Sequence, residues 1–117
     1  MINNNPIGIF DSGIGGLTIA SSIKQKLPNE SLIYFGDTQH LPYGDKSAKS
    51  IKFFSEQIIN FLRGKRCKAI VVACNSASCY LPALDYRQNI YNVIDPVICY
   101  LKKFKKLKIG IIGTKAT

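Results

Sequence analysis

The sequence predicts an α/β fold: a parallel sheet in a three-layer sandwich, built from alternating βα units. Three observations point there. Strand-like apolar runs stand at residues 7–10, 32–35 and 69–73. Each is followed by a short polar loop: Asp11-Ser12-Gly13, then Asp37 leading to Pro42-Tyr43-Gly44, then Cys74-Asn75-Ser76. Behind each loop, apolar residues recur at helical spacing. A strand, a loop with Gly or a small residue, and a helix form the repeating unit of a parallel sheet.

The elements follow in order. Residues 6–10 read as the first strand, and Gly13-Ile14-Gly15-Gly16 as a tight turn. A helix over 17–27 has Leu17, Ile19, Ala20, Ile23 and Leu27 on its apolar face. Pro28-Asn29 ends it. Residues 32–35 make a second strand, closed by Gly36-Asp37. A helix over 47–63 turns Ile51, Phe54, Ile58, Ile59 and Leu62 inward, with Gly64 as its cap. Residues 69–73 form a buried-type third strand, and a third helix covers 77–87. The pattern then changes. Residues 93–96 read as a crossing segment or short strand, 97–106 as a basic helix, and 108–114 as a fresh strand. A further βα unit would only be starting at Thr117, so the pattern reads as an unfinished fold.

Bulk composition narrows the class. The chain has 117 residues, 46% apolar and 20% charged, enough for one globular domain. No apolar run has the ~18–20 residues of a membrane helix. The start, Met1-Ile2-Asn3-Asn4-Asn5-Pro6, lacks the basic and apolar regions of a signal peptide. A cytoplasmic location is expected, with Cys67, Cys74, Cys79 and Cys99 as free thiols. One histidine, His40, and no Cys-x-x-Cys pair argue against a metal site. The net charge is +9, and five lysines cluster at Lys102, Lys103, Lys105, Lys106 and Lys108. With no nucleic-acid motif and no interleaved aromatics, that run reads as a solvated helix face. Neither nucleic acid nor membrane is expected as a partner.

Ligands of open α/β sheets bind beyond the carboxyl ends of the strands. Asp11, Ser12, Tyr43, Cys74 and Asn75 should therefore converge on one cleft, an inventory suited to a small zwitterionic ligand and thiolate chemistry. Cys74 sits before a helix, where backbone N–H groups favour an anion. It reads as a nucleophile, a ligand or a base, or as a small buried hydrophobe. A nucleophile would need a histidine partner, and only His40 is on offer. Asp11 binds an ammonium, directs a proton or caps the first helix. Tyr43-Gly44 presents N–H groups to a carboxylate or simply makes a turn. Asn75 and Ser76 contact the ligand or cap the third helix. Gly13-Ile14-Gly15-Gly16-Leu17-Thr18 fails the dinucleotide fingerprint at its sixth place. Gly8 and Gly13 have P-loop spacing, but Ile14 stands where lysine is required.

Taken together, the loops resemble the glutamate racemase family. The matching stretches are residues 8–18, 34–38, 42–44 and 73–78, and residues 109–117 resemble the start of that family's second domain. The resemblance implies two pseudo-symmetric α/β domains, here a first domain over 1–92 and, from 93 to 117, a crossover into a second that is only begun. It implies cofactor-independent interconversion of L- and D-glutamate, supplying D-glutamate for peptidoglycan, in a homodimer. By motif, Cys74 matches the first of two catalytic cysteines, and Asp11 the carboxylate beside it. Asp11, Ser12, Tyr43, Gly44, Asn75 and Ser76 match the substrate-binding residues. Ser76 replaces the commoner threonine. The second cysteine lies in a Cys-Thr-His motif that none of these 117 residues carries, so the chain alone is expected to be inactive. An aspartate or hydantoin racemase relative is the nearer alternative; a non-catalytic basic α/β binding module is the more distant one.

Overall fold

The computed structural model describes residues 3–81 and 89–117. Strand β1 (Ile7–Asp11) leads through a loop to helix α1 (Leu17–Lys26), then to β2 (Leu32–Gly36). A 3-10 turn at Tyr43–Asp45 precedes α2 (Ala48–Gly64). Strand β3 (Ala69–Val72), the short α3 (Asn75–Ser78), β4 (Ile90–Asn92) and α4 (Asp95–Leu101) follow. The strands form one parallel sheet in the order β2-β1-β3-β4.

Strand β1 is central and buried along its whole length. Phe10 lies opposite Phe35 on one side and Val72 on the other. Alternation puts Gly8, Phe10, Ile33, Phe35, Ile70 and Val72 on one face. Helix α2 covers that face with Ile51, Ile58, Ile59 and Leu62, and Tyr43, Cys74, Ala77 and Leu81 complete the cluster. Gly8 lets the helix approach: a Cβ there would stand 3.0 Å from Cys67 Sγ and 3.2 Å from Leu62 Cδ1. The opposite face carries Ile7, Ile9, Asp11, Tyr34 and Ala73, and Gly16, just before α1, packs on the last three.

Several elements differ from the sequence reading. β1 starts and ends one residue later, because Gly36 pairs with Asp11 and draws it into the ladder. Helix α1 buries none of its predicted apolar face; Leu17 and Leu27 are each about half exposed, as the helix meets the sheet chiefly along β2. Ser47 caps α2 rather than starting it, its hydroxyl accepting the Ser50 N–H at 3.1 Å. The helix runs through Gly64. The reversal comes at Arg66 (φ 59°), where the Arg66 and Cys67 N–H groups return to the Arg63 and Leu62 carbonyls. Of the helix expected over 77–87, residues 82–87 lie outside the described ones; α3 itself begins at Asn75.

The short strand lies at Ile90–Asn92, upstream of 93–96, because its carbonyls and amides register with Ile70, Val71 and Val72. Helix α4 begins at Asp95 with Pro96 in its first turn and ends before the lysines. Lys102, Lys103, Lys105 and Lys106 therefore follow the helix rather than ride on it. Residues 108–114 form no strand with the described residues, and Ile111 and Ile112 stand exposed. Instead the segment turns back, and the Ala116 N–H donates to the Gly44 carbonyl at 3.0 Å. Among the described residues no helix is long and apolar enough to cross a membrane.

Candidate active site

From β1 the chain crosses to β2 on one side, then passes back over to β3 on the other. The loops after β1 and β3 thus diverge, leaving a crevice at the carboxyl ends of two adjacent strands. A cavity of about 630 Å3 occupies it. Asp11, Ser12, Cys74, Asn75 and Ser76 line it, with Thr114 and Thr117 on the far wall.

Asp11 ends β1 almost fully buried, at 7% exposure. A buried carboxylate needs donors. The following loop supplies them, with the N–H groups of Gly13 (3.2 Å) and Gly16 (3.0 Å) both donating to Oδ2. The wrap is tight enough to demand glycine. A Cβ on Gly16 would come within 2.7 Å of Asp11 Cβ and 2.9 Å of Ala73 Cβ. A Cβ on Gly36 would overlap the Gly13 carbonyl oxygen. Oδ2 is thus occupied by backbone, as in a helix cap. Asp11 itself borders the cavity.

Cys74 follows β3 and N-caps α3, with Sγ accepting the Ala77 N–H at 3.4 Å. Its sulfur lies 3.5 Å from Ser12 Oγ, which brings the two strand-end loops together. Helix α3 has only four residues, so its dipole is small. Two polar groups meet this sulfur: the Ala77 N–H, which donates to it, and the Ser12 hydroxyl, to which the thiol donates. Ser76 Oγ lies 3.1 Å from Thr114 Oγ1 and 3.3 Å from Thr117 Oγ1, and the two threonine hydroxyls are 3.0 Å apart. This triangle of hydroxyls can donate to a carboxylate once they reorient.

Tyr43 and Gly44 stand behind the cavity rather than on its wall. The Tyr43 ring is core, at 1% exposure, and its hydroxyl donates to Asp37 Oδ2 at 2.5 Å. Burial first, then the hydrogen bond and charge of Asp37, push its phenol far above the ordinary range; the nearby charges of Cys74 and Asp11 add to this. Gly44 backs the far wall: its carbonyl takes the Ala116 N–H, and a Cβ there would strike Thr114 at 2.7 Å. His40 stacks on Phe54 with ring centroids 4.0 Å apart, and its Nδ1 lies 2.8 Å from Asp37 Oδ1. It is not among the residues around Cys74.

Sequence reasoning missed Thr114, Thr117 and Tyr34. The two threonines are spaced three apart on a turn, a signal legible only once the turn is known to fold back. Tyr34 donates its hydroxyl to the Gly13 carbonyl at 3.0 Å. Burial raises its phenol pKa, and the charges of Asp11 and Cys74 raise it further against a smaller lowering by the Gly16 backbone. Among the described residues no three His, Cys, Asp or Glu side chains gather as a metal set. The arrangement offers a thiol, a buried carboxylate held by two backbone N–H groups, and convergent hydroxyls. That suits binding a small polar molecule and moving a proton at sulfur.

No family model matches the chain. It is 42% identical over 121 residues to glutamate racemase 2 of Caldanaerobacter subterraneus subsp. tengcongensis, covering 99% of this chain and 44% of that protein. It is 44% identical over 115 residues to the glutamate racemase of Thermus thermophilus, covering 96% of this chain and 44% of the relative. The chain thus spans less than half the length of these curated relatives. Among solved structures, glutamate racemase from Thermus thermophilus in complex with beta-chloro-D-alanine superposes with a TM-score of 0.89 at 43% identity, over 97% of this chain and 44% of that one. The glutamate racemase of Francisella tularensis in complex with D-glutamate gives 0.78 at 39% identity, over 88% and 40%. In sequence and in fold the chain is a homologue of the glutamate racemases, corresponding to the N-terminal portion of that family's members.

Proposed function

We propose that this chain supplies one face of a glutamate racemase site, with Cys74 as the base that takes the α-proton from one enantiomer. The observation that carries the reading is the meeting of Cys74 Sγ, Ser12 Oγ and the buried Asp11 carboxylate in one cavity. The likeness to glutamate racemases supports the choice of substrate.

In the proposed step the Cα–H bond breaks and an S–H bond forms, and the electron pair stays on the substrate as a carbanion. An α-proton beside an ionised carboxylate is poorly acidic, so developing charge must be stabilised by fixed donors. Ser76, Thr114 and Thr117 hydroxyls and the Asn75 amide are the donors at hand. Asp11, held by two backbone N–H groups, is placed to receive the ammonium or to steer the proton held by sulfur. Tyr43 and Gly44 act from behind, by fixing Thr114. Delivery to the opposite face falls to the family's Cys-Thr-His cysteine, outside these 117 residues, with residues 93–117 opening the second domain. The biological reading is a cofactor-independent enzyme of the cytoplasm that supplies D-glutamate for peptidoglycan and works as a homodimer.

One cysteine can exchange a proton with solvent without inverting the centre. The purified chain in deuterated water should therefore wash deuterium into one enantiomer of glutamate, leave the other untouched and produce no inversion. Cys74→Ala should abolish the exchange. Exchange that survives Cys74→Ala, or that takes place equally in both enantiomers, refutes the assignment.

A further inference from the structure

We propose that Asp37 is the positioning residue of this site: it locks the Tyr43–Asp45 turn, and through that turn the Thr114–Thr117 wall, against the strand end that carries Asp11. The path is continuous. Asp37 follows β2 and is almost fully buried. Its own N–H donates to the Asp11 carbonyl at 2.9 Å, tying it to the end of β1. Its carboxylate accepts the Tyr43 hydroxyl on Oδ2 at 2.5 Å, and His40 Nδ1 lies 2.8 and 3.0 Å from its two oxygens. The residue after Tyr43, Gly44, accepts the Ala116 N–H and packs on Thr114. Thr114 and Thr117 then reach Ser76 inside the cavity.

The chemistry requires a carboxylate. A buried carboxylate accepts on both oxygens, which suits two donors arriving together, a phenol and an imidazole N–H. Asparagine has the shape but only one accepting oxygen, and its amide nitrogen would face one of those donors. Asp37 lies outside the wall of the cavity, so its influence runs through Tyr43. The inference rests on the glutamate reading only for what the wall binds; the mechanical link stands on the contacts alone.

The test compares Asp37→Asn, Tyr43→Phe and the double variant in the purified chain, by amide hydrogen exchange and glutamate titration. The Ala116 amide should exchange about tenfold faster in each single variant and no faster in the double, since both break one link. The Ile70 amide, bonded to the Asn89 carbonyl across the sheet, should hold its rate and exclude plain destabilisation. The glutamate dissociation constant should rise about tenfold in step with Ala116 exchange. An unchanged Ala116 rate, a uniform acceleration of all amides, or additive effects in the double variant overturn the inference. A wild-type chain that binds no glutamate overturns the functional reading instead, and the exchange rates still decide this one.

Discussion

Gly16→Ala is a severe test of how the site is built. Gly16 has φ −66° and ψ −9°, a conformation that any residue adopts. On backbone grounds alone, alanine would stabilise the fold by ~0.4–1 kcal/mol through the unfolded chain. The packing reverses that sign. The new Cβ would stand 2.7 Å from Asp11 Cβ, 2.9 Å from Ala73 Cβ and 3.1 Å from Tyr34 Oη, where ordinary contact begins at 3.4 Å. Two of these neighbours lie on β1 and at the end of β3, so the loop must retreat by roughly half an ångström or more, a packing strain of ~1–3 kcal/mol. That retreat lengthens the 3.0 Å bond from the Gly16 N–H to Asp11 Oδ2. A weakened charge-assisted bond adds roughly 1 kcal/mol. The net expectation is a loss of about 2 kcal/mol, or a fall in melting temperature of roughly 8 °C for a domain of this size. Thermal unfolding followed by circular dichroism measures the loss, and the Gly13 and Asp11 amide resonances report the shift of the loop. A melting temperature equal to or above that of the wild type, with those resonances unmoved, refutes the reasoning.

Other outcomes follow from the same structure. Cys74→Ser keeps the cap on the Ala77 N–H, so its melting temperature should stay near the wild-type value while deuterium exchange into glutamate disappears. Ser47→Ala removes the α2 cap and should cost ~1 kcal/mol in chemical denaturation. Ser55 Oγ is buried with no partner among the described residues, so Ser55→Ala should raise stability by about 1 kcal/mol, read as a higher denaturation midpoint. Burial raises the Cys67 thiol and the Tyr43 phenol above their ordinary values, so the folded chain holds protons that the unfolded chain releases. Stability should therefore be complete below about pH 9 and decline above it, with a shallower decline beyond about pH 10 in Tyr43→Phe.

The parallel sheet is legible because its three main strands are continuous apolar runs, and β1 in particular is buried on both faces. Asp11, Ser12, Cys74, Asn75 and Ser76 are legible as neighbours because the carboxyl-end rule ties loops to strands. The far wall is not. Thr114 and Thr117 reach Ser76 only because 108–114 stays out of a sheet and the chain doubles back onto Gly44, which no local pattern encodes. The apolar stripe of α1 exists as a stripe but is not buried, since periodicity says which residues share a face and not what covers it. The Arg66 reversal has no local signal, because glycine, two residues earlier, is the usual occupant of such a conformation.

Strand β1 takes its partners from very different distances along the chain. Ile7 pairs with Leu32 on one edge, but with Ala69 on the other. On a ribosome, the first of these pairings can form while the second half of the sheet is still unmade. The nascent chain then carries an open apolar edge on the strand that ends up buried along its whole length, for the time needed to add β3. Cys74 and, later still, Thr114 and Thr117 are missing from that early species, so ligand cannot rescue it. Chaperone dependence of expression, and its relief by slower synthesis, are what this order of assembly entails.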